Sequence, residues 1–324
     1  FCIALLTMKE RFDFGDIDPI EAEESAVHER RLKQYSQESL QTAARVEQVY
    51  VRFPQFAVCL EACDRAFQLS RTLNTPQGIL IKGAPGTSKT TIARYFIHSL
   101  PQSDLFEKGM GALLIRLRTV PTTQQVITGL LRAVKYPFTN VKRNNIHTMR
   151  DVAFDGIRQR GTRLIFVDQA HCLAYQAGQA RRDASETIIT DLLTELMDET
   201  GTSLCLLADD QFQELEGLDR ALADRVTVRE SLSHFKNDEL WAAFLKSFSQ
   251  QTKAINMDCL LDADIQEQTF TATQGNRRRF RRLIVEAALV TADAKEMALA
   301  REHLALAFSR VTGTTNELPN PFAR

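Results

Sequence analysis

An apolar run, Ile79-Leu80-Ile81-Lys82, ends in Gly83-Ala84-Pro85-Gly86-Thr87-Ser88-Lys89-Thr90-Thr91. Strand, glycine-rich turn and a Lys-Thr pair opening a helix form the order of a phosphate-binding P-loop. In that arrangement successive backbone N–H groups line a concave nest, and the positive end of a helix dipole points into it. Lys89 then reaches the β- and γ-phosphates of ATP, and the Thr90 hydroxyl holds Mg²⁺. Ser88 stands where the second glycine of the pattern is expected.

A second apolar run, Leu164-Ile165-Phe166-Val167, ends in Asp168, a carboxylate placed to complete the Mg²⁺ shell. The next position usually carries a glutamate that polarises the attacking water, and here it is Gln169. An amide binds water but accepts no proton, and loss of a general base costs about 10²–10⁴ in rate. Two readings stand: a deliberate Glu→Gln exchange that holds ATP in place, or a natural switch that hydrolyses slowly. Asp209 or Asp210, after the next apolar run, offers partial compensation. Asp209 also occupies the place of a polar γ-phosphate sensor, or else it is a strand-terminal cap. Arg225, in Asp224-Arg225-Val226, is expected to begin the last strand and to face a neighbouring subunit. An arginine supplied in trans stabilises charge on the transferring phosphoryl group; Arg220 is the alternative. Gly275-Asn276 leads into Arg277-Arg278-Arg279-Phe280-Arg281-Arg282, five arginines in six positions behind a natural N-cap. Arg278 is expected to turn back to the nucleotide as a second sensor. The others form a solvated face or a DNA or partner contact. His171 reads as a structural histidine.

The elements that must hold these residues alternate. Strand-like runs at 112–117, 164–168, 204–208 and 225–228 are interleaved with helical periodicity at 53–73, 124–134, 147–160 and 184–199. Alternation of this kind gives an α/β fold, a parallel sheet between helices. After Leu232 the pattern is helical alone, at 238–252, 264–273, 276–292 and 295–310. The expected organisation is a partly helical N-terminal extension (1–52), an ATPase core (53–232), a small helical lid (233–312) and an irregular tail (313–324). The chain of 324 residues is ample for this, and its net charge of −1 gives no global attraction for nucleic acid. Any DNA contact must come from a local basic surface. Six cysteines without a C-x-x-C pair suit a reducing, cytoplasmic setting. No apolar run approaches the roughly 20 residues of a membrane span. Residues 1–7 are too short for one and lack the basic flank and cleavage site of a signal peptide.

With Gly83–Thr90, Leu164–His171, Ala221-Leu222-Ala223-Asp224-Arg225 and Gly275–Arg278, the chain resembles the AAA+ superfamily, and within it the TniB/TnsC transposition regulators. The resemblance covers about residues 53–310; Ser88, Gln169 and Asp209 depart from the family pattern. It implies an AAA+ P-loop core with a C-terminal helical lid, using ATP and Mg²⁺. It also implies a homo-oligomer, ring or helical filament, that assembles on duplex DNA, marks a target site and recruits a transposase with target-selection proteins. DNA is then gripped along its backbone by two loops that correspond by position to Arg118, Thr119, Thr122 and Thr123, and to Lys142, Arg143 and Asn144. Such residues suit phosphate contact without base reading. The rival readings are a replication or helicase-loader-like factor and a regulatory ATPase acting on protein alone.

Overall fold

The apolar runs pair in space as a single parallel sheet. The computed structural model describes residues 35–70, 72, 76–100, 111–174, 189–212, 215–313 and 319–323. Its strands are β1 (Ile79–Gly83), β2 (Ala112–Arg116), β3 (Leu164–Asp168), β4 (Ser203–Ala208) and β5 (Val228–Leu232), in the order β2-β3-β4-β1-β5. The helices before and between them are α1 (Gln37–Glu47), α2 (Pro54–Leu69), α3 (Lys89–Ser99), α4 (Thr123–Ala133), α5 (Ile146–Gln159), α6 (Ile189–Thr200) and α7 (Arg220–Arg225). Strand side chains alternate between two apolar cores. Leu164 and Phe166 pack with Phe56 of α2 and Phe96 of α3, while Ile165 and Val167 pack with Leu130 of α4 and Phe154 of α5. Burial on both faces is what fixes a parallel sheet, at roughly 1.5–3 kcal/mol per large side chain. Strand β4 lies between β1 and β3, with Lys82 beside Ala208 and Asp168 beside Leu207. The carboxyl ends of these three strands therefore open at one edge, where such sheets bind ligands.

Beyond β5 the chain is helical: α8 (Glu239–Gln251), α9 (Ala263–Thr273), α10 (Arg277–Asp293) and α11 (Arg301–Thr312). They share a third core around Trp241, Phe244, Phe248 and Phe280. Helix α1 packs along α10, and Val46 and Val51 enter this core. Part of the segment read as an extension is thus built into the helical layer.

Three boundaries differ from the sequence reading. Residues 225–228 are not the last strand. Asp219 caps a short helix by accepting from Leu222 N at 2.9 Å, so Arg225 ends α7, and β5 starts at Val228 beside Ile79. Helix α11 begins at Arg301 rather than Lys295, because Asn256 N donates to Met297 O and Leu299 N to Asn256 O, an extended bridge incompatible with helix. Helix α2 stops at Leu69. The expected helical start at 184–188, residues 1–34 of the extension, and 314–318 and 324 of the tail lie outside the described residues.

Candidate functional site

Residues 84–88 turn the chain from β1 into α3. Gly86 has φ +88, and a Cβ there would meet Asn276 Oδ1 at 2.3 Å, so the position requires glycine for both conformation and space. Ser88 also adopts the left-handed region, φ 73 and ψ 22, without a capping hydrogen bond from its side chain. This is the physical reason glycine is expected there: an L-residue in that region costs about 1–2 kcal/mol. Thr87 is fully buried, and its hydroxyl donates to Ala84 O at 2.8 Å, closing the loop on itself.

Lys89 and Thr90 occupy the first turn of α3. The Lys89 ammonium donates to Gly83 O and, at 3.1 Å, to Ala84 O. Burial lowers its pKa, Asp209, Asp168 and Asp210 oppose that, and Arg278 reinforces it. Lys89 thus lies within electrostatic reach of both candidate sensors and of the β3 carboxylate. The Thr90 hydroxyl donates to Asp168 Oδ2 at 3.1 Å, joining the two residues expected to share a metal although β4 separates their strands. A hydroxyl and a carboxylate are the hard oxygen donors Mg²⁺ accepts. Gln169 has φ 60 and ψ 37, and its N–H donates to Asp168 Oδ1 at 3.0 Å. Asp209 follows β4; a hydrogen bond from Asp210 holds its carboxyl below the usual range, and the same bond raises Asp210. His171 has a buried Nδ1 with no hydrogen-bond partner among the described residues.

The lid closes on this loop through contacts the sequence reading did not foresee. Asn276 caps α10 by accepting from Arg278 N and Arg279 N, and its amide donates to Pro85 O at 3.1 Å. His234 Nε2 donates to the same carbonyl at 3.2 Å. Arg277 is only 6% exposed, donates to Thr87 O and stacks 4.0 Å from the Phe53 ring. Burial pushes its pKa down to about 9. The signal was present as an arginine at N1 behind a good cap, but the neighbouring arginines concealed which one turns inward. Ser88 and Thr91 border a cleft shared with Tyr50, Phe53, Arg277 and Arg281.

Arg225 lies apart from these groups. Its guanidinium pairs with Asp198 of α6 at 2.7 and 2.8 Å. Its carbonyl accepts from Gly78 N, at the amino end of β1. One strand of about 16 Å therefore separates it from its own P-loop. Arg220, at the start of α7, is exposed and makes no hydrogen bond or ion pair among the described residues.

The two loops expected to meet DNA border one cleft of about 810 Å³. Arg116, Arg118 and Thr119 lie on one side, Gln125 and Arg132 of α4 on another, Val141 at a third, and Gln169 reaches it from the β3 end. Lys142, Arg143 and Asn144 are exposed beside Val141. One residue of the first loop is corrected. Thr123 is 4% exposed, so its side chain is shut away from a phosphate backbone. Thr122 is the N-cap of α4, accepting from Gln125 N at 3.3 Å, which leaves its O–H to donate to a phosphate oxygen.

Comparison with known proteins follows the same lines. The model of the family described as bacterial TniB protein matches residues 42–235. No curated protein is matched in sequence. Among solved structures, the chain is similar to the Aeropyrum pernix ORC1 protein in complex with DNA, at 18% identity and a TM-score of 0.56, over 81% of this chain and 66% of that one. It is similar to the Aeropyrum pernix ORC2 protein in ADPNP-ADP complexes, at 13% identity and TM-score 0.58, over 82% and 71%. Drosophila ORC bound to DNA matches at 13% identity and TM-score 0.54, over 87% and 68%. At these identities the likeness is one of fold, and the chain spans about two thirds of the ORC1 protein's length.

Proposed function

Because the chain belongs to the TniB family and has the AAA+ P-loop core with a helical lid, we propose that it binds ATP at the β1–α3 loop and acts as a DNA-associated regulator of transposition. The observation that carries the nucleotide reading is the hydrogen bond from Thr90 to Asp168, with Lys89 beside both. Thr90 and Asp168 would hold Mg²⁺, which supplies charge neutralisation at the phosphates. Lys89 brings positive charge to the β- and γ-phosphates, the loop N–H groups between Gly83 and Thr91, of which Pro85 has none, cradle them, and Arg278 approaches from the lid. Gln169 holds water by hydrogen bond without taking its proton, so turnover is slow and the bound state long-lived.

The DNA reading is supported by the arginine-lined cleft that joins both candidate loops. Backbone phosphates would be held by Arg118, Thr119, Lys142, Arg143 and Asn144 without base reading. On this view subunits assemble around duplex DNA. Arg220 or Arg225, opposite the chain's own loop, serves the neighbour's nucleotide, and the assembly recruits a transposase. Between the two arginines, Arg220 is the better placed, since Arg225 must first release Asp198.

Two assays test this reading. Nucleotide affinity should depend on Mg²⁺, fall at least a hundredfold in Lys89→Ala and lose its metal dependence in Asp168→Asn. Random duplex DNA should be shifted in gels with ATP and not without. Unchanged nucleotide affinity in Lys89→Ala would remove the loop from the site, and an ATP-indifferent shift would separate DNA binding from the nucleotide.

A further inference from the structure

Two arginines of α10, Arg279 and Arg282, have no place in the site as described, and Arg278, the one read toward the nucleotide, lies beside them. Arg278, Arg279 and Arg282 are exposed, and none of their side chains donates a hydrogen bond or forms an ion pair among the described residues. They rim a groove of about 500 Å³ whose floor is Leu283, Phe308 and Val311. The groove ends at Pro85 of the P-loop. Like charges gathered on one helix face repel, and an apolar floor has nothing to offer a sugar-phosphate backbone. A carboxylate-rich segment with interleaved apolar side chains satisfies both the rim and the floor.

This chain carries such a segment. From Phe12 to Glu24 it reads Phe-Asp-Phe-Gly-Asp-Ile-Asp-Pro-Ile-Glu-Ala-Glu-Glu, six carboxylates with no Lys or Arg, alternating with Phe12, Phe14, Ile17 and Ile20. The chain that follows is already fastened to the same two helices. Tyr35 donates to Glu286 Oε1 of α10 at 2.8 Å, and Arg310 of α11 donates to the Tyr35 hydroxyl at 3.1 Å. Glu286 lies one turn from Arg282, about 6 Å along the axis. The ten residues between Glu24 and Tyr35 can span roughly 33–36 Å, which is ample for the return. We infer that the acidic segment Phe12–Glu24 docks on the arginine groove between α10 and α11 of its own chain. Docked there, it covers Arg278 and competes for that arginine with a nucleotide phosphate. This consequence rests on the nucleotide reading, while the docking does not.

The test uses the full chain without nucleotide, so its failure leaves the nucleotide reading untouched. A photo-crosslinking benzoylphenylalanine is placed at Phe14, and equal amounts of isotopically light and heavy chains are mixed and irradiated. Docking in cis predicts crosslinks from position 14 to residues 272–283 or 306–312, within light or within heavy chains only. Arg279→Glu with Arg282→Glu should cut their yield at least tenfold, as should salt near 1 M, where the screening length is about 3 Å. Asp16→Lys with Asp18→Lys and Glu21→Lys should cut it equally, and combining the two charge reversals should restore it. Four results would overturn the inference: crosslinks elsewhere, light-to-heavy crosslinks that make the occupant a second copy, a yield indifferent to the arginine reversal, or protection of the groove by random duplex DNA with no crosslink from position 14.

Discussion

Replacing Arg277 by methionine isolates the clamp between lid and loop. The guanidinium is 6% exposed, and burial pushes its pKa from 12.5 to about 9, a penalty on the charged form of roughly 5 kcal/mol. Against that stand its hydrogen bond to Thr87 O and a long one to Ser233 O at 3.5 Å. A charged donor contributes about 1.5–3 kcal/mol. Stacking on Phe53 at 4.0 Å, with Phe235 at 5.3 Å, adds about 2 kcal/mol in a desolvated site. These sums nearly cancel. Two of its donors, Nε and Nη1, have no partner, and no carboxylate faces it among the described residues. Arg277→Met keeps the apolar bulk and removes the buried charge, so the main loss is an unpaired Thr87 carbonyl, worth about 1–3 kcal/mol. The expected change in unfolding free energy is therefore about 1–2 kcal/mol, read by urea denaturation. Amide exchange over residues 84–90 should quicken more than in the sheet, because the lid no longer holds the loop. A loss above about 4 kcal/mol would refute the reasoning, since that is the cost of breaking a compensated buried ion pair.

Ser88→Gly relieves a left-handed serine (φ 73); the strain of about 1–2 kcal/mol less the glycine's entropy of about 0.5–1 leaves a gain of roughly 0.5–1 kcal/mol, read from the denaturation midpoint. Gly275→Ala combines φ +64 with a Cβ 2.1 Å from Phe235 O and should cost more than about 3 kcal/mol, whereas Gly217→Ala, with nothing within 4 Å, should be near neutral in the same thermal melt. Gln169→Glu should raise ATP turnover about a hundredfold and shorten the lifetime of DNA-bound assemblies; unchanged turnover would move the base to Asp209 or Asp210. Lys142→Ala and Arg143→Ala should each lower the slope of log affinity against log salt by about one for every phosphate no longer neutralised, and an unchanged slope in the double variant would take this loop off the DNA.

Period and punctuation alone were enough for the sheet and the loop. Apolar runs ending in Gly83, Asp168 and Asp209, bounded by turn residues, fold as read into buried strands whose polar ends lie at one edge of the sheet, and the glycine turn after β1 opens a helix at Lys89. Local signals also marked Asn276 as a cap. Other features depended on contacts between distant segments. Residues 225–228 carry β-branched residues that read as strand, yet the cap at Asp219 claims Arg225 for a helix, and pairing with β1 starts the strand at Val228. Thr123 looks like a surface hydroxyl in sequence, and the packing of α4 against the sheet buries it. Among five arginines in one short run, composition cannot say which is inward. The rotation of α10 against Phe53 and Thr87 selects Arg277 for the clamp and leaves Arg278, Arg279 and Arg282 on the groove. The sequence determined which candidate chemistries this chain offers, because strand period and turn residues act over a few positions. Which copy of each residue type performs them was decided by tertiary packing, because burial and partners are set by segments far apart in the chain.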